Sequence, residues 1–448
     1  MHSIALLRRV ACAASLLVAL SATAYAAGTL TIDQLLSLKS AGRPRISADG
    51  RFVAYEVTET DWKENAYVTH LWLADVQSGR AFQLTRGKKS SDGAQWSPDG
   101  RWLAFMTERE SGAITPPADG AEKKKEDAKS EKKESDAKAD ARQIWLISPE
   151  GGEAWPLTRH GAKIESFHWS RDGKRIAFTA PVPEAKAAKD RKEKYSEYEV
   201  FEEDFQQNQL WLIDVVAETA TEPHDAKQIT ADPKVNVEGF DWSPDGRRIA
   251  FSGTSNPLLA YSGSADLYLV DLARDNAVKR IVALEGPDAN PRFSPDGAEL
   301  AFTTALAQPY YFYANDRIAR VRIDEVMQHP ATKPADVDDL TPAFDEDASL
   351  LEWAPEGLYF RALQKTSSHL WRIDPRDKSV ARVTSPDVFF VGEVTFTRDF
   401  RAIAFSAPDA THVQEIFVAQ LPTGGQPLAP RKLTDMTAQL AGFTLGTV

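Results

Sequence analysis

The chain of 448 residues has one cysteine, Cys12, inside an apolar N-terminal stretch. Past that stretch no disulfide, thiolate nucleophile or cysteine-ligated metal is available. Histidine is nearly as scarce: past that stretch, His70, His160, His168, His224, His329, His369 and His412 are scattered one per unit or connection, with no HExxH or other short pairing. A helical zinc-hydrolase site is therefore excluded, and no metal or other cofactor is expected. G-x-S-x-G does not occur, and the nearest approach, Tyr261-Ser262-Gly263-Ser264, has the wrong spacing for a nucleophile elbow. No catalytic residue can be assigned. Positive charge is in deficit, 53 Lys and Arg against 65 Asp and Glu for a net charge of -12, so nucleic acid and anionic lipid are not expected as partners. The apolar run from Val10 to Leu20 is shorter than the roughly 18 residues of a membrane span. It follows Arg8 and Arg9 and precedes Ala24-Tyr25-Ala26, the layout of a secretory signal over residues 1–26. Export to the periplasm or medium, without membrane attachment after cleavage, is the expectation.

The sequence abounds in one phrase. It reads RISADGRFVAY from Arg45, QWSPDGRWLAF from Gln95, HWSRDGKRIAF from His168, DWSPDGRRIAF from Asp241, RFSPDGAELAF from Arg292, EWAPEGLYF from Glu352 and TFTRDFRAIAF from Thr395. Six copies share one spacing and the Glu352 copy is two residues shorter. In each, apolar residues of β character flank a turn where Pro presets φ, Asp bonds its own backbone and Gly tolerates φ > 0. A second hairpin follows in each unit, opening with strands such as HLWLADV from His70 and closing at steps such as Leu84-Thr85 or Leu157-Thr158. Each unit thus carries four antiparallel strands, A to D. Sheets that are apolar on both faces need to stack, and radial stacking is the propeller solution. The expected fold is all-β: a seven-bladed β-propeller of four-stranded antiparallel blades over residues 43–434. Unit one begins with strand A and unit seven ends with strand D, so closure by packing alone, without strand exchange, is expected.

Upstream, a leader over residues 27–42 contains LTIDQLLSLKS. Thr31 and Gln34 form a capping-box pattern, and a short helix is expected at 32–39. Its leucines either cover the ring floor or dock onto something beyond the ring. The A-to-B turns are tight, whereas the B-to-C connections at 56–69, 106–142, 179–208, 252–265 and 303–316 are long. Loops therefore crowd one mouth, and both chain ends should emerge there. The insert at 116–141 is low in complexity, with balanced Lys and Glu, and reads as solvated.

Two patches are candidate binding sites. Glu197, Glu199, Glu202, Glu203 and Asp204, in the blade-three insert, are placed to receive a cation such as a peptide α-ammonium, or else form a solvated acidic loop beside Lys189, Arg191, Lys192 and Lys194. Tyr310, Tyr311, Phe312 and Tyr313, in the blade-five insert, either line an apolar subsite or pack onto their own blade.

The exported leader, the seven SPDG-type units with LW-x-x-D strands and the Leu-Thr steps resemble the N-terminal propeller of the prolyl oligopeptidase family, in particular its acylaminoacyl-peptidase and dipeptidyl-peptidase-like bacterial members. The resemblance covers residues 30–448. It implies a serine peptidase in which the propeller restricts which peptides reach an α/β-hydrolase domain with a Ser, Asp and His triad. No position matching that triad exists here, since the chain ends at residues 435–448, about where that domain would start. By resemblance Glu202-Glu203 is similar in composition to a glutamate pair with which some relatives read a peptide amino terminus, although it sits in a B-to-C insert. Peptides as substrates, and a hydrolase domain on the loop-rich face, are the implied partners. The alternative is a TolB-like periplasmic propeller serving as a protein-binding module.

Overall fold

A computed structural model describes residues 28–109, 141–183, 190–191, 194–196, 205–215, 223–384, 390–408, 412–422 and 427–443. The signal segment, nearly all of the low-complexity insert, and Glu197, Glu199, Glu202, Glu203 and Asp204 lie outside the described residues. Seven separate four-stranded sheets form, each ordered A-B-C-D along the chain and antiparallel throughout. Strand A is Ser40–Ile46, Ser91–Trp96, Ser166–Trp169, Asn236–Trp242, Asp288–Phe293, Ala348–Ala354 and Val394–Phe396 in blades one to seven. The A strands of blades one and two, two and three, four and five, five and six, and seven and one touch one another around the centre.

The turn of the phrase is a repeated hydrogen-bonding device. Ser47, Ser97, Ser170, Ser243, Ser294 and Thr397 each donate a hydroxyl to the Asp two residues on, at 2.6 to 2.7 Å. The same oxygen accepts from the first amide of strand B, as Phe52 N to Ser47 Oγ and Arg248 N to Ser243 Oγ show. That hydroxyl holds Asp172, Asp296 and Asp399 below the usual carboxylate range. Blade six lacks the device and turns in two residues between Ala354 and Gly357, with Gly357 at φ 142.

The Leu-Thr step also has a physical cause. Strand D ends there, and the Thr hydroxyl replaces a backbone carbonyl: Leu71, Ile144, Leu210, Ile318, Leu370 and Ile416 of strand C donate their amides to Thr85, Thr158, Thr230, Thr341, Thr384 and Thr434 at 2.9 to 3.2 Å. Blade four ends on Ile281-Val282 instead, and Ala331 completes its edge by exchanging backbone bonds with Ile281 and Ala283. Ala331 belongs to the blade-five C-to-D link, residues 323–337, which contains a helix at Ile323–Val326. Connections on the turn face are therefore not uniformly short, contrary to expectation. The link is long because Ile323, Val326 and Ala331 bury themselves in the cluster shared by blades four and five.

Blades are bolted together near the channel by indoles. Trp96, Trp169 and Trp242 donate Nε1–H to the carbonyls of Arg45, Gln95 and His168 in the preceding blade. Blades one and seven close without strand exchange, through a cluster containing Ala41, Ile46, Val53, Ala404, Ile416 and Val418. Packing is not alone there. Thr395 Oγ1 accepts from Ile46 N, Arg398 N donates to Ala48 O, Gln414 Nε2 donates to Ala41 O, and Lys39 and Gln439 exchange two bonds of 2.8 and 2.9 Å.

The capping box forms as expected, Gln34 N to Thr31 Oγ1 at 3.2 Å and Thr31 N to Gln34 Oε1 at 3.0 Å. The helix spans only Ile32–Leu36, rather than 32–39. The bond from Lys39 N to Gln439 pulls the chain out of helical geometry one residue before strand A begins.

Candidate functional site

Every copy of the phrase opens on a polar residue: Arg45, Gln95, His168, Asp241, Arg292, Glu352 and Thr395. In blades one, two, five and six a bulge with a register shift immediately precedes that residue, and Arg43, Gly93 and Asn290 adopt positive φ within it. A bulge re-aims the strand that follows it. Six of the seven polar residues, all but Asp241, line one central cavity of about 530 Å³. Its wall also includes Ala48, Pro98, Arg171 and Arg398 from the A-to-B turns, so the cavity opens on the turn face, opposite the long loops.

From blade one to blade six these side chains reach from each blade to the next. Arg45 Nε–H donates to Ala94 O at 3.1 Å and Nη1–H to Glu393 at 3.2 Å. Gln95 Nε2–H donates to Phe167 O, and His168 stands edge-on to Phe240 with ring centroids 4.8 Å apart. Asp241 Oδ2 accepts from Phe293 N at 3.0 Å, and Arg292 Nε–H donates to Leu351 O at 2.7 Å. The His168 side chain is exposed to the cavity, and the protein packed around it lowers its pKa from the ordinary imidazole value. Arg292, Arg45 and Arg171 push the same way. Enclosure raises the Glu352 pKa, against the pull of Arg292 and Arg171. The cavity's hydroxyls are engaged within the ring: Ser97 and Thr397 hold their turns, and Thr395 donates to Pro44 O at 3.2 Å.

On the opposite, loop-rich face a second cavity of about 560 Å³ lies among Leu30, Asp33, Gln34, Ser37, Leu38, Trp62, Gln439 and Phe443. There Trp62 Nε1–H donates to Ser37 Oγ, and a parallel bridge joins Gly28 to Phe443. Ile32, Leu35 and Leu36 are exposed, at 76%, 57% and 40%. The helix's apolar side chains therefore do not cover the ring floor.

Among the residues singled out from sequence, Tyr311 and Tyr313 fall in a 3-10 turn of the blade-five connection. Tyr311 stacks on Phe312 at 4.0 Å and lies so close to Gly263 of the blade-four loop that a Cβ there would overlap its ring. Tyr310, Phe312 and Tyr313 stay exposed, Tyr313 at 92%. Tyr311 thus leans on the blade-four loop and also lies against Gly286, just ahead of strand A of its own blade, and it lines neither of the two cavities above. His70 and His369, at equivalent starts of strand C, are buried, and His369 Nδ1 meets Thr384 Oγ1 at 3.2 Å, the place that Gln143 and Gln209 take beside Thr158 and Thr230. Sequence reasoning missed the channel residues. Their signal, a polar residue heading each copy, was in plain view within the repeat.

No family model matches the chain. "Dipeptidyl-peptidase 5" of Porphyromonas gingivalis is 23% identical over 378 residues, 79% of this chain and 49% of that protein. "Uncharacterized peptidase YuxL" of Bacillus subtilis is 27% identical over 279 residues, 62% of this chain and 32% of that protein. Among solved structures, Pyrococcus horikoshii acylaminoacyl peptidase superposes with a TM-score of 0.60 at 15% identity, over 91% of this chain and 54% of the other. The β-propeller domain of the trilobed protease from Pyrococcus furiosus, described as having an open velcro topology, gives 0.56 at 14% identity over 89% and 99%. The fold is that of the prolyl oligopeptidase propellers. The chain spans about half or less of the length of the curated relatives it matches.

Proposed function

We propose that this chain is the substrate-admitting ring of an exported serine peptidase acting on peptides. On this reading it performs no chemistry itself and restricts which peptides reach a hydrolase domain seated on the loop-rich face. The observation that carries the proposal is a central cavity of about 530 Å³ in a ring whose fold recurs in peptidases along nearly its whole length. The exposed Ile32, Leu35, Leu36 and Trp62 offer an apolar surface of the kind a second domain covers, on the face where residues 28 and 443 meet. Glu202, Glu203 and Asp204 remain candidates for the peptide amino terminus, and Tyr311 and Tyr313 for a subsite wall. The test is fluorescence anisotropy of labelled peptides of graded length against the purified chain, with fluorophosphonate labelling in parallel. Saturable binding of short peptides without hydrolysis or serine labelling is expected. A labelled serine, or no peptide binding at any length, would overturn the reading.

A further inference from the structure

The chain carries 12 more negative than positive charges, yet its central cavity is lined by five guanidiniums, those of Arg45, Arg171, Arg292, Arg361 and Arg398, against only two carboxylates, Glu352 and Glu393. Of the five, only Arg45 has a carboxylate within 4 Å among the described residues, namely Glu393. Arg292 spends two N–H groups on the carbonyls of Leu351 and Pro291, and Arg361 one on that of Gly392. Arg398 reaches from blade seven to the Pro98 carbonyl of blade two.

Two of these arginines break the repeat. The second turn position is Pro98, Pro244, Pro295 and Pro355 in four copies, where Pro presets the turn, but Arg171 and Arg398 in blades three and seven. Those blades stand nearly across the ring from each other. Neither arginine improves its own turn, and both line the same cavity. Confined positive walls concentrate anions and hold them through charge-assisted, forked hydrogen bonds. Trp96, Phe396 and Phe400 add apolar wall beside the charges, which favours an anionic group on an organic body over a bare inorganic ion.

We infer that the turn-face end of the channel is a carboxylate-binding site, with Arg171, Arg292 and Arg398 as its principal ligand-facing groups. Which carboxylate it takes rests on the peptide reading above: there it is the free α-carboxyl of a peptide, and otherwise it is a small free dicarboxylate. Isothermal titration separates the two, using Ac-Gly-Phe-Gly as free acid, the same peptide amidated, and glutarate. Arg171→Pro restores the residue that other copies carry at a position whose amide makes no described backbone bond. Arg398→Gln keeps the amide that donates to Ala48 O. Both variants should therefore fold, and Arg247→Gln on the outer turn face serves as a charge control.

The free acid should bind roughly tenfold or more tightly than the amide. Each variant should lose about tenfold for the free acid and almost nothing for the amide, and the control should match the parent. If glutarate binds with the same arginine dependence while neither peptide binds, the carboxylate site stands and the peptide reading falls. Equal binding of acid and amide with glutarate silent, or unchanged carboxylate affinity in the double variant, would overturn the site itself.

Discussion

Glu415 is 1% exposed, and its carboxylate accepts from Thr434 Oγ1 at 2.6 Å, Met436 N at 2.9 Å, Thr437 N at 2.8 Å and Thr437 Oγ1 at 2.9 Å. It thereby fixes the 3-10 turn Met436–Leu440, from which Gln439 grips Lys39 at the start of blade one. Glu415→Ala orphans the buried Thr434 hydroxyl, at about 1–3 kcal/mol. It also releases three donors near the surface that water recovers in part, at about 0.5–1 kcal/mol each. The expected loss is about 2.5–6 kcal/mol. Glu415→Gln should cost only about 1–2 kcal/mol, because Gln143 occupies the equivalent place in blade two and accepts from both Thr158 Oγ1 and His160 N. Denaturant unfolding gives the totals. Hydrogen exchange gives the location: in Glu415→Ala, amides of Ser40–Ile46 and Val394–Phe396 should exchange faster while those of Asn236–Trp242, across the ring, keep their protection. Uniformly faster exchange, or an alanine variant no weaker than the glutamine one, would refute the idea that this carboxylate holds the seam.

Two further substitutions probe the blades. Asp288 is wholly buried and accepts from Leu284 N and Thr304 Oγ1, and burial pushes its pKa up to about 6 from 3.8. The fold therefore favours the protonated carboxyl, and the stability this group contributes is full below about pH 4 and lost as pH rises to about 6. Relative to the parent, Asp288→Asn should gain stability across that window by at most about 3 kcal/mol, and parallel thermal-unfolding profiles would contradict it. Gly357→Ala places a Cβ against the Ile373 carbonyl at φ 142 and should cost about 3 kcal/mol or more in denaturant unfolding, whereas a loss under 1 kcal/mol would show that the two-residue turn relaxes.

The ring was legible because its devices are local. Ser, Asp and Gly of the turn act within five residues of one another, and the Thr of the Leu-Thr step bonds the strand beside it. The number of blades and their strand order follow from counting those devices. Glu415, Gln439 and the channel arginines were not legible, because each acts on a residue distant in sequence: Gln439 meets Lys39 across 400 positions, and Arg171 and Arg398 converge only once the ring has closed. The helix end at Leu36 was misjudged for the same reason, the residue that stops it being at the other end of the chain. The blade-five link was missed because Ala331 completes a different blade's edge, which a repeat read unit by unit does not reveal.

Entry of peptides into this ring can be read by photo-cross-linking. A short free-acid peptide bearing a benzophenone is irradiated with the intact chain and the adducts are mapped by mass spectrometry. Adducts should fall on strand A and its turns, around Gln95–Pro98, His168–Arg171 and Val394–Arg398, and should vanish with excess unlabelled peptide. Adducts confined to the outer strands, such as Ala81–Gln83 or Val380–Arg382, or adducts that competitor does not suppress, would contradict it.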